Sequence, residues 1–389
     1  MIEALKKGMG IYVHIPFCLQ KCTYCDFSSI ALNNSTSLED YCLCLQKEIA
    51  GHSTQHRMQN ISTVYFGGGT PSLLTAGQVE DILRALRQEF SFLDDVEITL
   101  EANPATLSRT KLRDLRDAGI NRLSLGVQSF SDSDLRVLGR VHSSSDALTT
   151  VEDLHFLSWK NFNIDLIYGL PGQSIDRWKE NLDMVVACEP SHISAYLLQL
   201  DPCTPLARDL ARGLWEPLEE ESEEAMFNLA REHLQGNNYR HYEISNYCRR
   251  GRECRHNLIY WSGQEYLGLG SAAVSFQAAK RWINPWPLEN YCAPLRCGRL
   301  PGIQVLETMN SEELQAEALV MGLRQIEGVD LEELKNRLGI DPHTHYGTLI
   351  DDFIERGWLK MLEGRLCLHP DMIFVSNQIL CHFLDNRKS

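Results

Sequence analysis

Six short β-rich runs separated by amphipathic segments set the strongest limit on how this chain can fold. The runs are Ile11–Ile15, Thr63–Phe66, Glu97–Leu100, Arg122–Val127, Asn163–Tyr168 and His192–Leu198. A helix between two strands carries the chain back to the starting edge, so the strands run parallel with right-handed crossovers. The predicted class is therefore α/β, either a parallel barrel or a doubly wound sheet. Helix signals fall where this scheme needs them. Thr75-Ala-Gly-Gln78 reads as a capping box. Ser108 opens RTKLRDLRDAG, which Gly119 ends as a C-cap. Ser131 is expected to cap SDSDLRVLGR.

At 389 residues the chain exceeds what one hydrophobic core usually serves, about 250–300 residues. The expected division is a main domain over 1–290 and an appended one over 300–389. After an acidic helix at 218–236, loop-rich sequence with many aromatics is expected to about residue 300. SEELQAEALVMGL, LEELKNRLGI and HTHYGTLIDDFIERGWL then read as three helices, and LKMLEGRLCLH as a hairpin. Such a unit is winged-helix-like, an architecture often used on DNA. Residues 301–389, however, hold 15 Asp+Glu against 8 Lys+Arg, which argues against phosphate contacts. The whole chain carries a net charge of −15 with a pI near 5.3, so nucleic acid is not an expected partner. No stretch approaches the roughly 18 apolar residues of a membrane helix. MIEALKKGMG lacks the pattern of a signal peptide, and the expected location is cytoplasmic.

Thirteen cysteines in a chain of this length read as free thiols or metal ligands rather than a disulfide framework. Three stand apart. Cys18-x3-Cys22-x2-Cys25 directly follows the first strand, in HIPFCLQKCTYCDF. Structural zinc closes with four ligands, commonly as two pairs. Three thiolates in one tight loop suit an iron–sulfur cubane, each cysteine taking a separate iron and one iron left open. GGGTPS at 67–72 follows the second strand. Gly67, Gly68 and Gly69 would let the backbone approach a ligand and offer N–H groups to its carboxylate, although a plain turn explains such a run equally simply. Glu101 closes the third strand, Gln128 the fourth, Arg140 lies in LGRVH and Asp165 in the fifth strand. Each alone reads as a structural cap or ion pair. Their shared place at the strands' carboxyl ends is where parallel β/α barrels hold ligands.

Together these motifs resemble the radical S-adenosylmethionine (SAM) superfamily and, over nearly the full length, its coproporphyrinogen-oxidase-like branch. The resemblance implies a partial parallel β/α barrel with a small C-terminal helical winged domain. It implies a [4Fe-4S] cluster on Cys18, Cys22 and Cys25, whose open iron takes the amino and carboxylate groups of SAM. Gly68, Gly69, Thr70, Glu101, Gln128, Arg140 and Asp165 would then surround SAM, with Tyr12 near the cluster.

Two functions compete within that branch: oxygen-independent coproporphyrinogen III oxidase and the HemW-type haem chaperone. The oxidase pattern has a fourth cysteine two positions after the third, where this sequence has Phe27. It also has a long N-terminal extension, where 17 residues precede Cys18 here. His256-Asn-Leu-Ile-Tyr-Trp261 matches the HNxxYW motif of the chaperone group. A neutral imidazole is a common haem-iron ligand, and Tyr260 and Trp261 offer flat faces to a macrocycle. The chaperone reading implies haem as cargo, with haem-accepting proteins as partners, respiratory ones among them, and peripheral contact with membrane-bound acceptors. Alternatives stay open. His256 could be a packed structural residue, Cys248, Cys254 and His256 could form half a zinc site with Cys292 and Cys297, or the chain could be a radical SAM enzyme for another small molecule.

Overall fold

The computed structural model describes residues 8–32, 37–52, 60–339 and 341–385. The six expected strands are all present: β1 (Met9–Ile15), β2 (Asn60–Gly68), β3 (Ser91–Ala102), β4 (Arg122–Gln128), β5 (Phe162–Tyr168) and β6 (His192–Leu197). Each pairs in parallel with the next. Helices α1 (Leu38–Gly51), α2 (Ala76–Glu89), α3 (Arg109–Asp117), α4 (Asp132–Val137), α5 (Ser144–Phe156) and α6 (Ile175–Ala187) make the crossovers. The Thr75 capping box and the Ser108 cap form as read. Ser131 does not behave as expected. It occupies the N-cap position of α4 without bonding the helix backbone, because its hydroxyl turns to Ser133 at 2.7 Å.

Helices α7 (Pro205–Ala211) and α8 (Glu220–Gly236) follow. The stretch expected to be loops contains several regular elements. It supplies β7 (Arg240–Glu243), β8 (Asn246–Cys248), α9 (Arg255–Trp261), β9 (Tyr266–Leu269), β10 (Val274–Gln277), β11 (Lys280–Ile283) and α10 (Leu288–Arg296), before β12 (Gln304–Thr308). Strands of three or four residues are too short for a two-residue period to show in sequence. β9 joins β1 in parallel and β10 to β12 extend that edge antiparallel, giving the linear order β12-β11-β10-β9-β1-β2-β3-β4-β5-β6-β8-β7. This is an open, partial barrel. Beyond it lie α11 (Ser311–Gly322), α12 (Leu331–Leu338), α13 (Pro342–Glu355) and α14 (Ser376–Asp385). Their small sheet has the order β13-β15-β14, from Val329–Asp330, Leu359–Leu362 and Arg365–Leu368 as β13, β14 and β15.

The barrel strands alternate over most of their length, with register shifts in β2 and β4. One face carries Ile11, Val13, Val64, Phe66, Ile98, Leu100, Leu123, Leu125, Ile164 and Leu166, all buried in the main core. Most of the intervening positions are polar and face the barrel interior. Across neighbouring strands Asn163 Nδ2 donates to Ser124 Oγ at 2.7 Å, and Tyr65 O–H donates to Glu101 Oε1 at 2.7 Å. His192 Nδ1 lies 2.7 Å from Asn163 Oδ1. Arg122 sits among these groups, 2% exposed. Parallel strands covered on both faces usually read as unbroken apolar runs. Here apolar side chains hold the helices and polar ones line the interior.

Candidate functional site

The parallel strands β1 to β6 all point the same way, so their carboxyl ends share one rim. At that rim a cavity of about 600 Å³ is lined by Cys18, Cys22 and Cys25, and by Gly68, Gly69, Thr70, Glu101, Gln128, Arg140 and Asp165. Ten of the twelve residues nominated from sequence therefore meet in one place. Tyr12 and His256 do not.

The glycine loop is stitched to the chain entering the cysteine loop: Gly69 N–H donates to Ile15 O at 2.9 Å and Thr70 N–H to Phe17 O at 2.7 Å. A Cβ on Gly69 would lie 2.6 Å from Phe17 O and 3.0 Å from Cys18 Sγ. Gly68 has φ +111, where a side chain is strained, and its Cβ would meet the His14 ring at 2.5 Å. The other edge of the cysteine loop is tied to the end of α4, where Thr23 Oγ1–H donates to Val137 O at 2.8 Å. Arg140 Nη1–H reaches Cys22 Sγ at 3.5 Å. Gln128 holds φ +69 at the end of β4, the kind of backbone strain that gathers at functional sites.

Two carboxyls line the interior side. Glu101 accepts from Tyr65 O–H and, at 3.3 Å, from Gly68 N–H, while burial pushes its pKa up to about 7. Asp165 is also raised by burial, although it accepts from Asn163 Nδ2 at 2.7 Å and Ser124 Oγ at 3.2 Å. Burial thus favours the protonated form of both more than in exposed acids.

These residues fit the implied cluster and SAM. Burial, reinforced by the neighbouring Cys22 and Cys18 thiols, pushes the Cys25 thiol up to about 11, so a cation beside it is needed to hold it as a thiolate. Among the described residues no group of three or more His, Cys, Asp or Glu side chains is placed to hold a single metal ion. Cys254 instead donates to Glu97 Oε1 at 3.9 Å, and Cys248, Cys254, His256, Cys292 and Cys297 do not come together as a zinc site.

Tyr12 lies elsewhere. Its hydroxyl is 3.0 Å from His14 Nδ1, and it lines a second cavity of about 460 Å³ with Phe27, Tyr260, Trp261, Tyr266 and Phe276. His256 is buried behind that wall. Its Nδ1 is 2.7 Å from Thr63 Oγ1 and its Nε2 is 2.8 Å from Tyr260 O–H, one turn along α9, where side chains four apart meet. Burial and then Arg122 lower its pKa to about 3. The imidazole is neutral, the form that ligates iron, but both nitrogens are engaged. Sequence reasoning placed this ring directly on the ligand. The structure puts Tyr260 between the ring and the cavity. It also adds residues that no motif announced. Phe27, 59% exposed, borders both cavities, and Arg324, Phe374 and Asn377 from the C-terminal region line the first.

Residues 12–185 match the model of the Radical SAM superfamily, and residues 309–371 that of the HemN C-terminal domain. A haem chaperone HemW of Synechocystis is 37% identical, with 95% of this chain and 94% of that protein covered. The chain belongs to the HemW family. Another haem chaperone HemW, from Bacillus subtilis, is 29% identical over 96% of this chain and 98% of its own. The coproporphyrinogen III oxidase HemN of Escherichia coli, a radical SAM enzyme, superposes with a TM-score of 0.84 at 20% identity, over 98% of this chain and 92% of its own. That likeness shows the fold. The relatives that carry the HemW family are named as chaperones, not as oxidases.

Proposed function

We propose that this chain is a haem chaperone that holds a [4Fe-4S] cluster and SAM in the strand-end cavity, binds haem in the aromatic second cavity and passes it to acceptor proteins. The observation that carries the reading is the placement of Tyr260 and Trp261. Both aromatics of the HNxxYW segment line a cavity bordered by the cysteine loop through Phe27. His256 would supply an axial nitrogen once Tyr260 gives up its hydrogen bond. When bound, the cluster supplies one-electron chemistry. The chain's own part is to hold it on Cys18, Cys22 and Cys25, to offer Gly68, Gly69, Thr70, Gln128 and Arg140 to SAM, and to keep Glu101 and Asp165 available for its polar groups, with Tyr12 near the cluster. Acceptors, respiratory haem proteins among them, would meet the chain in the cytoplasm or at a membrane surface. No helix among the described residues is long and apolar enough to cross a membrane. The division proposed, 1–290 and 300–389, leaves β12 as the strand through which the second unit joins the main sheet.

Anaerobically reconstituted protein should bind about one haem per chain, a stoichiometry set by one cavity of macrocycle size. It should not decarboxylate coproporphyrinogen. His256→Ala should shift the Soret band and weaken binding by about tenfold, the loss of one coordination bond with the aromatic contacts retained. Trp261→Ala should weaken binding without that spectral change. Turnover of coproporphyrinogen III with SAM consumption would overturn the chaperone reading. An unchanged spectrum in His256→Ala would remove His256 as the ligand.

A further inference from the structure

The residues nominated for the cluster and SAM all come from the β1–β5 side of the strand-end cavity and its loops. The opposite wall is built from different material. β6, α8, the turn after β7 and the segment before α14 close it with Phe227, Ile244, Ile373 and Phe374. The Phe227 and Phe374 rings lie 5.7 Å apart. This wall is apolar except for a few hydrogen-bonding side chains and one cation, Arg324. Among the described residues lining the cavity, the carboxylates are Asp26, Glu101 and Asp165, which lie on the cysteine loop, β3 and β5.

Arg324 is poorly compensated. Its Nη2–H donates to Asn377 Oδ1 at 2.9 Å, and its guanidinium lies 5.7 Å from the Trp261 ring. Its Nε is buried without a hydrogen-bond partner among the described residues. The acid whose charge bears on it is Glu243, which is itself pushed up to about 7 by burial, so much of that charge is missing near neutrality. Burial accordingly lowers the arginine's own pKa. A partly desolvated guanidinium on the cavity lining, beside flat apolar surface, has the chemistry of a carboxylate site.

We propose that the β6 side of the strand-end cavity binds a small apolar carboxylic acid, with its carboxylate on Arg324 and its body against Phe227 and Phe374. This goes beyond the haem reading, because the wall belongs to the other cavity. It gives the chain a second organic ligand beside the residues nominated for SAM.

The test is equilibrium dialysis of the full, anaerobically purified chain with a matched pair, 4-phenylbutyrate and the neutral 4-phenylbutanamide. The acid should bind at least about tenfold more tightly than the amide, as a hydrogen bond to a charged group implies. Arg324→Gln should remove that advantage and leave amide binding unchanged, Arg324→Lys should keep part of it, and Phe374→Ala should weaken both ligands. His256→Ala should preserve the acid-to-amide ratio, so failure of this site and failure of the haem reading are seen on different variants. Equal affinity for acid and amide in the unaltered protein overturns the proposal even if Arg324→Gln does not fold. So does an acid preference that survives Arg324→Gln.

Discussion

Gly68 and Gly69 adjoin in sequence and meet different neighbours, which separates the effects expected of changing them. At Gly68 the obstacle is its own backbone, at φ +111, together with the His14 ring. Strain of this type costs on the order of 1–3 kcal/mol. Gly68→Val should therefore lower stability by about that much and weaken SAM binding while iron and sulfide content holds, since no cysteine is touched. At Gly69 an added Cβ presses on the Phe17 carbonyl, which is backbone and cannot turn away, and on Cys18 Sγ. Gly69→Ala should lower cluster content as well. Iron and sulfide analysis beside SAM dialysis distinguishes the two, and intact iron in Gly69→Ala would show that the cysteine loop tolerates the shift. In sequence these glycines read either as room for a ligand or as a plain turn. Their equally close approach to the chain's own Phe17 and His14 was hidden, because those contacts join separate strands. His256 shows the same limit: its residue type and motif were readable, while the Tyr260 and Thr63 bonds that occupy its nitrogens were not.

Among elements, α1 is fastened in part by one buried carboxylate. Glu48 accepts from Gly270 N–H at 2.7 Å, Asn284 Nδ2 at 2.6 Å and Tyr291 O–H at 2.7 Å, joining α1 to the turn after β9, the end of β11 and α10. Burial nevertheless raises its pKa to about 7. The folded state therefore binds the proton more tightly than the unfolded chain, whose glutamate titrates near 4.3. Stability falls as pH rises through the window between those values, and the deficit is complete above about 7. From pH 5 to 8 this amounts to on the order of 2 kcal/mol. Denaturant titrations should show Glu48→Gln gaining relative to the unaltered protein by about that amount across the interval. A difference that does not vary with pH would mean the three donors hold Glu48 near its ordinary value. Long helices with a boundary signal were legible in sequence, as at Thr75 and Ser108. The capping box of Asn310 with Glu313 on α11 also forms, although only the helix itself was anticipated. The short strands β7 to β11 were not readable, since their partners, rather than their own pattern, make them strands.

At the scale of the whole molecule, the C-terminal region is part of the site. The sequence indicated three helices and a hairpin after residue 305, but α14 and the segment leading to it were missed, and these bring Phe374 and Asn377 to the first cavity. Their placement depends on long-range partners: Phe374 on Phe227, Asn377 on Arg324, and Arg231 Nη1–H on Pro370 O at 2.7 Å. α14 also buries Ile379, Leu380 and Phe383, each worth about 1.5–3 kcal/mol on full burial. A chain ending at His369 should therefore unfold at a markedly lower temperature and bind an apolar dye that the full chain excludes. An unchanged melting temperature would detach this region from the fold. The alternation along β1 to β6 has a different consequence. One set of positions faces the helices, and the other, mostly polar set lines the interior. Substitutions in the lining can therefore accumulate without repacking the shell, and substitutions in the shell without altering the lining. Such a scaffold is evolvable in the strict sense: its chemistry can diverge while its architecture stands still.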